Sequence, residues 1–420
     1  MSEVARDPKQ TIHEDYGTLF ATDYVLLMCY IVWIIFLELP WFLLSRLSLP
    51  SHFSEPSFGV SLKNFLIRTT NKLFNYRQIR LLIRPSASDI LKSPRYGPFR
   101  QNLYHRICFH SFTGYWIIQS SFNDTQPPRH SDVTIFFLHG GGYFASQPDT
   151  YLLFLLRLAE AITTQGIKVS IFALDYHLAP EFQYPTQLDE AKAAYDYLLR
   201  DMAIPADRVV VAGDSAGGHL VLSLLVDLHQ RSSRPKPGGA MLFSPWVSLH
   251  HTPSTNAYTD VISAAFLRAT ARRFLGPARS DRKETRTDPL LEFLNPHPEI
   301  EWDAVLPSWL WVSAGTNEIM FDDIVKLTQA LEKRLGRQRV DWEWGEGEVH
   351  DWQWLETMDY GAKKRFLAKH EHRSVNPPSV SPGATKRETL ARPRVRRQHC
   401  HRHHRHPALA AIEITSGAKP

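Results

Sequence analysis

Between residues 133 and 344 the chain alternates short, continuous apolar runs with longer stretches of helical periodicity. The run V-T-I-F-F-L at 133–138 reads as a strand buried on both faces, followed by a helix over 151–164. A strand at 169–174 and a helix at 188–199 repeat the unit, and a strand at 209–212 leads into a helix at 219–229. A strand at 240–243 follows. The alternation then breaks over 246–305, which carries proline, threonine and charge and reads as an inserted lid or cap. It resumes with a strand at 309–312, a helix at 322–335 and a strand at 340–344. Strands alternating with helices predict a mostly parallel sheet covered on both faces, with reactive groups at the carboxyl ends of its strands. Residues 50–110 are irregular and aromatic, with a basic helical stretch around 63–84; they read as further cap material. The first antiparallel strands are expected within 108–118.

Upstream of this pattern, residues 24–44 (YVLLMCYIVWIIFLELPWFLL) form an apolar segment long enough to approach a membrane span. Glu38 and Pro40 interrupt it near its end, where a carboxylate can reach the headgroup layer. A cleaved signal peptide fits worst, because residues 1–23 lack a basic flank and no small-residue cleavage site follows. A single-pass anchor is the expectation, and a cap helix dipping into the membrane is the alternative. Arg6 and Lys9 on one side balance Arg46 and Lys63 on the other, so the positive-inside rule assigns no orientation. The sequon Asn123-Asp124-Thr125 would be glycosylated only on a luminal domain. The expected organisation is a polar segment at 1–23, the anchor at 24–44, one catalytic domain at 45–370, and a disordered basic tail at 371–420.

Composition sharpens this in one respect. The formal charge of +5 comes largely from the arginine- and histidine-dense stretch 386–406, so the body is close to neutral and nucleic acid is not an expected partner. Cys29, Cys108 and Cys400 lie far apart and form neither a disulfide framework nor a metal site. No metal and no cofactor is expected, and oligomeric state is left open.

The chemistry concentrates at Gly213-Asp214-Ser215-Ala216-Gly217-Gly218, which sits between a strand and a helix. A G-x-S-x-G sequence in that context is a nucleophile elbow, with glycines where the sharp turn brings backbones close. The helix that starts after Ser215 brings N–H groups and a partial positive charge beside a developing oxyanion. His139-Gly140-Gly141-Gly142-Tyr143 follows directly on the 133–138 strand. Such a glycine run turns backbone N–H groups toward a substrate carbonyl, completing an oxyanion hole with the N–H of Ala216, the residue after the nucleophile. His139 is expected to brace the loop, and Asp214 to support the elbow.

A serine hydroxyl needs a base, and the base needs an orienting carboxylate. His350, in Glu348-Val349-His350-Asp351 after the last strand, is the expected base. The acid belongs to the loop Gly315-Thr316-Asn317-Glu318-Ile319-Met320-Phe321-Asp322-Asp323 after the 309–312 strand. Glu318 is the first choice and Asp322 the alternative, since Asp322 and Asp323 fall where acidic residues favour a helix N-terminus.

These residues, with Asp175-Tyr176-His177-Leu178-Ala179-Pro180-Glu181, Tyr184-Pro185 and Ser244-Pro245-Trp246, resemble the hormone-sensitive-lipase-like branch of the α/β-hydrolase fold over about residues 110 to 370. The resemblance implies an α/β-hydrolase fold with a helical cap, and a serine esterase, lipase or deacetylase with Ser215 and His350 catalytic and Gly141, Gly142 and Ala216 as oxyanion donors. The acid loop departs from that branch's usual D-P-L-x-D by offering Glu318-Ile319-Met320-Phe321-Asp322. With the apolar segment, the chain also resembles the membrane-anchored fungal steryl acetyl hydrolases. That likeness implies an apolar ester such as an acetylated sterol, terpenoid or secondary metabolite, and a single-pass placement in the endoplasmic reticulum. Two other functions stay open: acyl transfer by the same triad in a biosynthetic route, and ligand binding without catalysis, against which the presence of His350 argues.

Overall fold

The computed structural model describes residues 16–48, 57–83, 87–122, 126–230, 234–250, 256, 260–294, 300–358, 363 and 367. The sequon at 123–125 and the tail at 371–420 lie outside the described residues.

The sheet has eight strands: β1 (Leu103–Cys108), β2 (Thr113–Ile118), β3 (Val133–Leu138), β4 (Val169–Asp175), β5 (Val209–Asp214), β6 (Gly239–Phe243), β7 (Trp309–Gly315) and β8 (Val340–Gly345). Their spatial order is β1-β2-β4-β3-β5-β6-β7-β8. β1 and β2 pair antiparallel, β2 pairs antiparallel with β4, and every later pairing is parallel. The central strands are apolar on both faces because each face is covered. Phe136, Leu138, Val209, Val211, Ala240 and Leu242 enter one core. Their alternating neighbours Ile135, Phe137, Val210, Ala212, Met241 and Phe243 enter the other.

The helices are α1 (Ala21–Trp33), continued through a π-helical turn Ile34–Glu38 into α2 (Leu39–Ser48), then α3 (Phe58–Leu73) and α4 (Tyr76–Leu82). Around the sheet run α5 (Leu152–Thr163), α6 (Thr186–Arg200), α7 (Ala216–Gln230), α8 (Ala264–Leu275), α9 (Phe321–Leu335) and α10 (Trp352–Thr357). The expected α/β-hydrolase fold, with a mostly parallel sheet, helices on both faces and a helical cap, is the fold observed.

Three local readings change. The basic stretch 63–84 is two helices, because Asn75 caps α4 by accepting from the N–H groups of Arg77 and Gln78 while Gln78 returns a bond to its backbone. The helical run read at 219–229 extends back to Ala216, so its first turn abuts the nucleophile. The antiparallel edge begins at Leu103, inside the region assigned to the cap. The insert after β6 contributes α8.

Candidate active site

Ser215 sits between β5 and α7 with φ +50, a left-handed conformation in a non-glycine residue. Its neighbours permit the turn. A Cβ on Gly217 would lie 1.9 Å from the Leu138 carbonyl oxygen, and one on Gly213 would lie 2.5 Å from the Gly217 carbonyl. Only hydrogen fits at either place.

His350, from the loop after β8, places Nε2 2.8 Å from Ser215 Oγ, and both residues are buried. That distance suits a serine hydroxyl donating to a neutral imidazole. Glu318, fully buried in the loop after β7, holds Oε2 3.7 Å from His350 Nδ1. This is ion-pair range and longer than a hydrogen bond, and His350 Nδ1 has no other partner among the described residues. Such contacts tighten when substrate binds. Asp322 instead lies in the first turn of α9, four residues further along the chain. The loop separates the two carboxylates: Glu318 faces His350, Asp322 the helix start.

Three further side chains organise the catalytic group. Ser244 of the Ser244-Pro245-Trp246 turn donates to Glu318 Oε2 at 2.6 Å and accepts from the Asp351 N–H at 3.2 Å. Asp351 carries a carboxylate 3.1 Å from His350 Nε2. Burial pushes the His350 imidazole down, but Asp351 and Glu318 together outweigh it, and the net direction is well upward. Asp260, from the insert, is almost fully buried. Its Oδ1 accepts from the N–H groups of Val261 (2.7 Å) and His350 (3.0 Å), and its Oδ2 from that of Ile319 (2.8 Å). One carboxylate thus pins the backbone at the base and immediately after the acid. Burial pushes its pKa up to about 6. Sequence reasoning missed both aspartates. Asp351 stood beside the histidine with no signal beyond adjacency, and Asp260 lay in a segment whose path no periodicity revealed.

The glycine loop is held open by its surroundings. Gly141 and Gly142 have φ +91 and +60, and their N–H groups make no hydrogen bond among the described residues. Asp214 takes no part at the nucleophile: it accepts from the Gly140 N–H at 2.8 Å and from the Tyr151 hydroxyl at 2.6 Å, tying the loop to the elbow. Burial first, and then the nearby Asp351 carboxylate, raise its pKa well above the usual range. His139 is fully buried and stacked on Tyr176 at 4.1 Å, a brace as expected. From α4, the buried Arg80 donates to the carbonyls of Phe144 (2.6 Å) and Ala179 (3.0 Å) and makes a two-pronged pair with Glu181 at 2.9 Å. The cap therefore grips the glycine loop directly.

Above Ser215 lies a cavity of about 140 Å³ whose walls include Ile67, Ile79, Ile83, Phe144, Phe266 and Leu267. Its apolar sides come from α3, α4 and α8, and its polar floor from Ser215, His350 and Asp351. Such a site excludes water and strengthens each electrostatic contact within it. Among the described residues no group of side chains is arranged to hold a metal ion.

A serine–histidine–carboxylate set at the carboxyl ends of a parallel sheet, beside two positive-φ glycines, is the arrangement of a serine hydrolase. The profile of the alpha/beta hydrolase fold family matches residues 135–354. An acetyl-hydrolase of Streptomyces hygroscopicus is 32% identical over 239 residues, 56% of this chain and 72% of its own. A putative steryl acetyl hydrolase (mug81) of Schizosaccharomyces pombe is 29% identical over 215 residues, 48% of this chain and 54% of its own. The crystal structure of an esterase from the bacterial hormone-sensitive lipase family superposes with a TM-score of 0.55 at 24% identity, over 75% of this chain and 99% of that one. The chain belongs to the alpha/beta hydrolase family and is a carboxylic ester hydrolase.

Proposed function

We propose that the protein cleaves an apolar ester through an acyl-serine intermediate, with Ser215 as nucleophile, His350 as base and then acid, and Glu318 as the orienting carboxylate. The observation that carries this reading is the 2.8 Å approach of His350 Nε2 to Ser215 Oγ at the floor of an apolar cavity. His350 takes the Ser215 proton as Oγ attacks the carbonyl carbon. The resulting oxyanion meets the N–H groups of Gly141, Gly142 and Ala216, and a single such donor is typically worth about 3 kcal/mol. His350 then protonates the leaving alcohol, and water, activated by the same imidazole, releases the acid.

Apart from His350 and Asp351 at its floor, the residues lining the cavity carry no charge, which favours an uncharged, hydrophobic leaving group such as a sterol or terpenoid alcohol. The names of the acetyl-hydrolase relatives favour a short acyl group. The hydrophobic segment at 24–44 favours a membrane location for the enzyme, which in a cell making sterols is the endoplasmic reticulum. The purified full-length protein is to be given p-nitrophenyl acetate and, in lipid vesicles, a steryl acetate. Free acetate from both, lost with Ser215→Ala, is the expected outcome. Persistence of hydrolysis in that variant would overturn the mechanism, and cleavage of the soluble ester alone would overturn the apolar-substrate reading. Appearance of acyl product only when an acceptor alcohol is added would assign acyl transfer instead.

A further inference from the structure

The hydrophobic helix is bracketed by contacts to one body. Ahead of it, Tyr16 is buried in the main core, and its hydroxyl accepts from the Ser146 N–H at 3.0 Å, four residues past Gly142. Along its length Asp23 accepts from Asn75 Nδ2 (2.7 Å), Leu27, Tyr30 and Ile34 pack with Phe74, Ile79 and Phe144, Glu38 pairs with Lys72 (3.0 Å), and Phe42 stacks on Phe65 at 4.5 Å. Positions 23, 27, 30, 34, 38 and 42 share one stripe at helical spacing. From first to last they run about 28 Å at 1.5 Å per residue, close to the full hydrocarbon thickness of about 30 Å.

A helix crossing the bilayer would put Tyr16 and Ser146 on opposite sides of it. It would also carry Lys72 and Arg77, which pack against this stripe, into the hydrocarbon, where unsatisfied charge costs several kcal/mol. The remaining circumference between positions 23 and 42 carries no charged residue, and it presents exposed Val25, Met28, Val32 and Phe36 between exposed Tyr24 and Trp41. Every exposed large hydrophobic side chain among the described residues, apart from Phe109 and Met358, lies between Phe20 and Leu82. Water is a poor solvent for a patch of that extent. Between Tyr24 and Trp41 it offers no charged group by which a protein partner is read, whereas those aromatic ends, with Arg46 beyond them, suit a lipid headgroup layer.

We propose that this helix does not cross the membrane but lies within one leaflet, with both its ends and the catalytic domain on the same side. Resting on the apolar-ester reading, the leaflet also becomes the source of substrate. Ile79, Phe144 and Ala145 wall the cavity and belong to the cluster that Ile34 joins.

The test uses the full chain in sealed vesicles, with Cys29→Ser and Cys400→Ser leaving the exposed Cys108 of β1 as the body's reporter. A Ser2→Cys substitution reports the segment ahead of the helix. A membrane-impermeant maleimide should find the two positions on the same side, both labelled from outside or both protected until detergent is added. Opposite protection would establish a span and overturn the proposal while leaving the membrane reading intact. Vesicle flotation gives the separate readout. Val25→Asp/Val32→Asp should lower flotation at least tenfold while hydrolysis of a water-soluble ester is unchanged. A wild-type chain that fails to float would sink the membrane reading and this topology together, without touching the esterase chemistry.

Discussion

Replacing Asp260 by asparagine removes one acceptor from a carboxylate that holds three backbone N–H groups, those of Val261, Ile319 and His350. Asparagine keeps one oxygen, so the two bonds to Oδ1 can survive, while its amide group meets the Ile319 N–H donor to donor. Leaving one buried donor unsatisfied costs about 1–3 kcal/mol. Part of that is returned, because burial pushes the native carboxyl up to about 6 and a neutral side chain escapes the desolvation of the ionised form. Stability should therefore change little, with Tm moving by no more than a few degrees. Activity should change more. Ile319 follows Glu318 directly, and a displacement near 1 Å at a catalytic group costs about 10²-fold. The expected result for Asp260→Asn is a kcat on p-nitrophenyl acetate lowered about 10- to 100-fold at nearly wild-type Tm. Asp260→Ala, which strands all three donors, should lose both. An Asp260→Asn enzyme with wild-type kcat, or one whose lost activity matches its unfolded fraction, would refute the positioning argument.

Three other expectations follow from the same geometry. Glu318→Gln should lower kcat by ~10³–10⁴-fold, the scale of removing the orienting carboxylate from a triad, while Asp322→Asn should stay within about twofold of wild type in the same assay. Asp351→Asn removes a carboxylate that holds the His350 imidazole pKa upward, so the acid limb of the kcat/KM profile should move to lower pH; an unmoved limb would refute that coupling. His219 is buried between the Tyr143 hydroxyl (2.7 Å) and the Leu291 carbonyl (3.0 Å), and burial lowers its pKa to about 4. The unfolded chain then binds a proton near 6.5 that the folded one refuses. This group's contribution, about 3 kcal/mol, is complete above pH 6.5 and is lost as pH falls toward 4. His219→Gln should flatten the fall of Tm across that window, and an identical slope in the variant would contradict the assignment.

The central sheet was legible because its inner strands, β3 to β7, are largely continuous apolar runs and each crossover helix has an apolar stripe. Boundaries slipped by only a few residues, as where β5 runs on to Asp214, which braces the glycine loop. Ser215 and the glycine loop were legible because backbone geometry demands glycine at fixed offsets around them, and His350 because it follows the last strand. Asp260 was not, since its role depends on a contact spanning 90 residues with His350, and no local pattern encodes that. The apolar segment shows the same limit. Its length and hydropathy are those of a span, whereas the inward stripe at 23, 27, 30, 34, 38 and 42 has meaning only once α3 and α4 are in place.

Arg80 gives the cap a role in inheritance as well as in stability. The stretch shared with the alpha/beta hydrolase profile begins at residue 135, and Arg80 lies well ahead of it. Its guanidinium nevertheless ends on Phe144, Ala179 and Glu181, all inside the shared stretch. An N-terminal region free to be exchanged between relatives would have no such bonds. Here it is wired into the loop that must receive the oxyanion, so exchanging it for another protein's leader would strand two buried carbonyls and the Glu181 carboxylate. The N-terminal region and the catalytic core are thereby bound to change together.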